Sequence, residues 1–309
     1  MKTYLIYKDV HQELTCYSVS EGIIKSFSDH GCICLSESQF LMPEVQPSEE
    51  DCVIILISLK NENCHQKLLS LNCKKILYSN DESKSDQILF RTQLEFCKRH
   101  GVTTIINTFP SDRNLNFLTQ NGIRAITMPV SGWHRNVNFA NKDIDVLVSG
   151  QIVESYYPVR TKIFSALRNS TLKFAYLPHS GMEASNVMHQ YHGKNFLNLL
   201  DRCWLGVTCR AGSFRDRMVP KYVEFGFSKV LPVGDCPTYM DPDMKSSMIE
   251  ITESSTEDFI INQIKNALAD KQKLIDRIEK YSSVIHEKFD MVSNTKRVLR
   301  MISNNEFDS

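Results

Sequence analysis

Short runs rich in β-branched apolar residues alternate with longer amphipathic segments along nearly the whole chain, and this alternation is what most limits the fold. Strands covered by helices on both faces read as almost unbroken apolar runs, as residues 53–59 do. The spacing predicts strands over 4–7, 32–35, 53–59, 75–78, 103–106 and 125–128, with helices near 20–29, 65–71, 85–100 and 115–121. Gly101 and Gly122 fit helix C-caps just before strands. A polar, strand-poor stretch over 131–141 interrupts the series. A second series follows, with strands over 145–150, 173–177, 205–209 and 230–233 and helices near 158–167, 194–202 and 220–228. Helical periodicity continues over 257–269, 271–286 and 293–302. The expected fold class is α/β, with two Rossmann-like, doubly wound domains facing a cleft. The expected domains are 1–140 and 141–290, followed by a terminal helix and tail over 291–309.

Length agrees with this division, since 309 residues exceed what one core usually holds. Basic and acidic residues balance at 36 each, so no long-range field draws the chain to nucleic acid or an anionic membrane. The longest apolar run is far too short to span a bilayer, and the N-terminus lacks the pattern of a signal peptide. The expectation is a cytoplasmic protein with at most peripheral membrane contact and no nucleic-acid partner. Ten cysteines are scattered without a C-x-x-C pair, which suits reduced, mostly buried thiols. Cys32 and Cys34 alternate onto one strand face without further ligands nearby, so no metal site is expected.

No strand is followed by a G-x-G-x-x-G or G-x-x-x-x-G-K-[ST] loop, which disfavours a dinucleotide-dependent dehydrogenase and a P-loop nucleotidase. Phosphate must be held in another way. In Val219-Pro220-Lys221-Tyr222-Val223-Glu224 the proline marks a helix start, and Lys221 and Glu224 share a face. Free N–H groups and a lysine there suit a diphosphate, while an acid one turn deeper could accept from sugar hydroxyls. A surface ion pair explains the same spacing. Gly150 ends a strand where open α/β sheets bind ligands, and it admits a close approach to the backbone. Arg160 falls in the first turn of a helix begun by Pro158, His179 follows another strand, and Arg217 precedes the Pro220 helix. Each has an ordinary reading as a turn residue or solvated charge. Together, Gly150, Arg160, His179, Arg217, Lys221, Tyr222 and Glu224 fall on one edge of one expected sheet, which favours a binding site.

The series Ser149-Gly150, Tyr157-Pro158-x-Arg160, Leu177-Pro178-His179-Ser180-Gly181, Tyr191-x-x-Lys194, Pro220-Lys221-Tyr222-Val223-Glu224 and Leu231-Pro232-Val233 resembles the donor-binding half of GT-B-fold glycosyltransferases. It looks most like their group-one relatives over about 143–302. The resemblance implies that Glu224 binds the donor ribose, that Arg217 or Lys221 holds the diphosphate, and that 293–302 crosses back to the first lobe. Ser180 stands where these relatives often have proline, Lys229 where they usually have glycine, and Pro232 where the second acid of E-x(7)-E is expected. The retaining mechanism is therefore not carried over, and stereochemistry stays open.

The resulting expectation is a hexosyl- or pentosyltransferase that moves a sugar from a nucleotide-sugar donor to a glycan or other hydroxyl acceptor without a metal or other cofactor. Helix N-terminal amides and the cations would stabilise the departing diphosphate. An inverting enzyme also needs a base, for which His11 and Asp81, both after strands of the first lobe, are candidates. Trp133 could stack on a sugar or simply pack. Two rivals remain at this point, a nucleotide-sugar epimerase of the same fold and a non-catalytic nucleotide-sugar-binding protein.

Overall fold

The computed structural model describes residues 1–9, 21–56, 59, 61–79, 86–108, 112–178, 194–210, 218–238 and 240–307. These form two compact units, one of residues up to Val130 together with Met291 onward, the other of Ser131–Asp290.

In the first unit β1 (Thr3–Tyr7), α1 (Glu21–Asp29), β2 (Ile33–Ser36), α2 (Glu37–Phe40), β3 (Cys52–Leu56), α3 (Glu62–Ser70), β4 (Lys74–Ser79), α4 (Asp86–His100), β5 (Thr104–Asn107), α5 (Asp112–Gln120) and β6 (Arg124–Thr127) succeed one another. The six strands form a parallel sheet ordered β2-β1-β3-β4-β5-β6. Every residue of β3 is buried, as a strand covered on both faces requires. The described part of the strand runs to Leu56, residues 57 and 58 of the expected 53–59 run lie outside the described residues, and Leu59 is not in the strand. Gly101 and Gly122 take φ of +65° and +72°, the left-handed conformation that closes a helix.

The last helix, α12 (Met291–Asn304), belongs to this first unit. Its apolar stripe buries Met291, Val298, Met301 and Ile302. Ser26 Oγ of α1 donates to Thr295 Oγ1 at 2.8 Å, Arg297 donates to the Thr127 carbonyl, and Lys74 Nζ reaches the Ile302 carbonyl at 3.0 Å. The guanidinium of Arg124 lies 4.0 Å over the Phe307 ring.

The second unit runs through β7 (Ile144–Ser149), α6 (Pro158–Arg168), β8 (Phe174–Leu177), α7 (Lys194–Leu200), β9 (Cys203–Val207), α8 (Pro220–Phe227), β10 (Leu231–Gly234), α9 (Pro242–Ser247), β11 (Ile249–Glu250), α10 (Glu257–Ala269) and α11 (Lys271–Lys288). Its parallel sheet is ordered β11-β10-β9-β7-β8. The chain leaves β7 toward β8 and leaves β9 toward β10, in opposite directions. A crevice therefore opens at the carboxyl ends of β7 and β9, the position where open α/β sheets take ligands. Behind it α8 is clamped between the sheet and α11. A Cβ on Gly226 would lie 2.4 Å from Ile285 Cγ1, and Tyr281 donates to the Tyr222 carbonyl at 2.9 Å.

The units divide between Val130 and Ser131, not at residue 140. The polar stretch after Ser131 is built into the second unit rather than linking the two. Gly132 N donates to the Phe289 carbonyl at 2.9 Å, Arg135 pairs with Asp201, and Trp133 packs on the core formed by Ile144, Leu197 and Phe225. Packing, not sugar stacking, accounts for Trp133. The short elements α2, α9 and β11 were not expected from the pattern. All nine cysteines among the described residues are free thiols.

Candidate functional site

Two helices begin at the switch crevice of the second unit, and both begin with proline. Pro158 opens α6 and Pro220 opens α8, and neither N-terminus has a side-chain cap. Proline fixes φ for the first turn and removes one N–H that would lack a partner. The remaining amides of both first turns carry partial positive charge toward the ends of β7 and β9.

Three of the residues expected from sequence meet here. Gly150 closes β7 with φ +103°, and a Cβ at that point would stand 2.8 Å from both Arg160 Nη1 and Lys221 Nζ. The absence of a side chain lets two cations come against the backbone. Lys221 Nζ donates to the Ser149 carbonyl at 2.5 Å, and Arg160 Nη1 donates to the Gln151 carbonyl at 3.1 Å. The Arg160 guanidinium also lies 4.1 Å over the Tyr157 ring.

Arg160 is only 4% exposed, and its Nε has no hydrogen-bond partner among the described residues. No carboxylate forms an ion pair with it there. The Ser149 and Thr208 hydroxyls, also buried, lack partners among the described residues. Thr208 lies one rung beyond the Val148–Val207 pairing, so the two hydroxyls sit side by side on the strands that flank the crevice. A buried guanidinium without an anion is costly, and three unsatisfied polar groups at one sheet edge describe a place prepared for a polar anion.

Tyr222 and Glu224 are placed differently. Tyr222 is fully buried; its hydroxyl donates to the Asp235 carbonyl at 2.5 Å, so its side chain ties α8 to the end of β10 rather than facing the crevice. Burial pushes this phenol well above its ordinary pKa. Glu224 lies one turn into α8 and is 2% exposed. His11, Asp81, His179 and Arg217 lie outside the described residues.

Two residues that carry no motif complete the neighbourhood. Asp235, just after β10, accepts from Arg210 N at 3.1 Å and from Arg210 Nε at 2.8 Å. Burial raises the pKa of Asp235, while Arg210 opposes that shift. Cys209 lies among the charges of Arg160, Asp235 and Lys221; its burial outweighs the cations and pushes the thiol up. Arg210 and Asp235 follow β9 and β10, on the same edge of the sheet as Gly150 after β7. Among the described residues no group of His, Cys, Asp and Glu is arranged to hold a metal ion, and no helix is long and apolar enough to cross a membrane.

No protein-family model and no curated protein matches the sequence. Solved structures do match its fold. HepE from Anabaena, in complex with UDP-glucose, shares 9% identity at a TM-score of 0.63, covering 98% of this chain and 100% of that one. An α-glucosyltransferase bound to UDP and a 13-mer DNA shares 12% identity at 0.63, with coverage of 98% and 99%. The trehalose-6-phosphate synthase OtsA shares 9% at 0.62, again over 98% and 99%. The chain has the GT-B fold.

Proposed function

We propose that the chain is a glycosyltransferase that draws its sugar from a nucleoside diphosphate donor, held by the diphosphate in the crevice between β7 and β9. The observation that carries this reading is Arg160, a buried guanidinium that meets no carboxylate among the described residues, set against Gly150 beside Lys221. Support also comes from structural neighbours that are nucleotide-sugar-dependent enzymes, two of them captured with UDP or UDP-glucose.

In this reading the diphosphate lies against Arg160 and Lys221, which the missing side chain at Gly150 lets come up to the backbone. Arg160 supplies a fork of donors, Lys221 a point charge, and the first turns of α6 and α8 supply backbone N–H groups. As the bond from the anomeric carbon to the diphosphate oxygen breaks, negative charge grows on the leaving group. Fixed positive charge in a dry crevice lowers that barrier without a metal. Glu224 would accept from the ribose hydroxyls of the donor. The sugar passes to an acceptor hydroxyl, with His11 and Asp81 as the candidate bases.

Isothermal titration with UDP, GDP, ADP and dTDP tests the assignment. At least one should bind, and Arg160→Ala should weaken it by at least about tenfold, the scale of one lost charge-assisted hydrogen bond. Equal affinity in wild type and Arg160→Ala would sink the reading.

A further inference from the structure

Tyr157 stands at the N-cap of α6, where serine, threonine, aspartate or asparagine would ordinarily accept a hydrogen bond from the first turn. Its side chain makes no such bond. Pro158, next in the chain, disfavours a helical conformation at Tyr157, which takes φ −138° and ψ 61° and lies just outside the helix. The backbone there is held on both sides: Tyr157 N donates to the Val153 carbonyl at 2.8 Å, and the Tyr157 carbonyl accepts from Thr161 N at 3.0 Å. The position is fixed, yet its side chain is not used for capping. What the ring meets instead is Arg160, whose guanidinium carbon lies 4.1 Å from the ring centroid.

We propose that Tyr157 is a positioning residue for the donor diphosphate: its ring face sets the plane of the Arg160 guanidinium on the Gly150 side of the crevice; the proposal rests on the donor reading above. Arg160 Nη1 donates to the Gln151 carbonyl at 3.1 Å, while Nε has no hydrogen-bond partner among the described residues. A guanidinium held by one hydrogen bond can turn about it. Two phosphate oxygens are taken side by side only when the plane is already set. A carboxylate would set that plane, but it would also neutralise the charge and occupy the donors a phosphate needs. A ring face sets it and leaves both the charge and the in-plane N–H groups for the ligand. Stacking in place of an ion pair thus matches a guanidinium that is buried and meets no carboxylate among the described residues. Tyr156, the adjacent tyrosine, is 59% exposed, its ring centroid 6.5 Å from that of Tyr157, and it provides the control.

The experiment titrates the full chain with whichever of UDP, GDP, ADP and dTDP binds tightest, with thermal melting to establish that each variant is folded. Tyr157→Phe keeps the ring and should stay within about twofold of wild type. Tyr157→Leu removes the ring face and should weaken binding by at least about fivefold, the scale of a desolvated cation–π contact. Tyr156→Leu should leave the affinity within about twofold of wild type. In an Arg160→Ala background the Tyr157→Leu change should cost less than about twofold further, because a residue that acts through Arg160 then has nothing to position. A role in folding alone would not show that dependence on Arg160. Three results overturn the positioning role: a Tyr157→Leu affinity within about twofold of wild type, an equal loss in Tyr157→Phe or Tyr156→Leu, or the full further loss in the Arg160→Ala background. A wild-type chain that binds none of the four diphosphates, or binds them with an affinity insensitive to Arg160→Ala, overturns the donor reading itself.

Discussion

Arg160, in the proposed donor site, is a residue whose binding role would come at the expense of the fold. Its guanidinium is withdrawn from water and meets no carboxylate among the described residues, so the Gln151 carbonyl and the Tyr157 ring offset only part of its desolvation cost. Arg160→Met keeps a similar length of apolar stem and removes the charge. The variant should be as stable as wild type without ligand, or more stable by up to about 2 kcal/mol, while losing diphosphate binding. Thermal melting with and without the diphosphate checks both halves; a variant destabilised by several degrees would show that Arg160 is structural. The residues of this site were unequally legible. Gly150, Arg160 and Lys221 stand next to proline or at a strand end, and their chemistry is unusual for those places. Thr208, Arg210 and Asp235 have no such mark. A threonine or aspartate after a strand is ordinary, and only the adjacency of β7 to β9 and of β9 to β10 brings these three to the crevice.

Among the elements, α8 is the most constrained, because the sheet, α11 and the crevice all depend on its position. All residues from Tyr222 to Phe227 are buried. Gly226 permits this by letting α11 approach its backbone, with Ile285 occupying the space of a missing Cβ. Gly226→Ala should therefore destabilise by about 1–3 kcal/mol despite the better helix propensity of alanine. Chemical denaturation measures the loss, and a stabilised variant would refute the packing argument. Lys229, where the resembling family usually has glycine, takes φ +53° at the end of this helix. The backbone conformation is thus kept although the residue that most easily adopts it is not, and Lys229 pairs with Glu279 of α11. Strands such as β3 were legible because burial on both faces imposes a continuous apolar run. The two-residue β11 and the short α2 and α9 were not, since one turn or one rung leaves no periodicity to read.

At the scale of the molecule, the second unit is continuous in sequence and the first is not. The described residues of the proposed donor site, from Ser149 to Asp235, all fall within Ser131–Asp290. The first unit is completed only by α12 and the residues after it, which bury apolar side chains on α1 and β6 and bring Phe307 under Arg124. Removing residues 291–309 should therefore unfold the first unit and spare the second. The truncated chain should lose one cooperative transition in calorimetry, because removing a helix that buries five side chains, Met291, Thr295, Val298, Met301 and Ile302, exceeds the margin by which a domain is stable. Diphosphate affinity should nevertheless stay within about threefold of the full chain, since none of the cradle residues depends on α12. If the truncated chain instead loses affinity while the melting of the second unit is unchanged, the first unit supplies contacts to the diphosphate, and the assignment of its binding to the second unit alone is wrong.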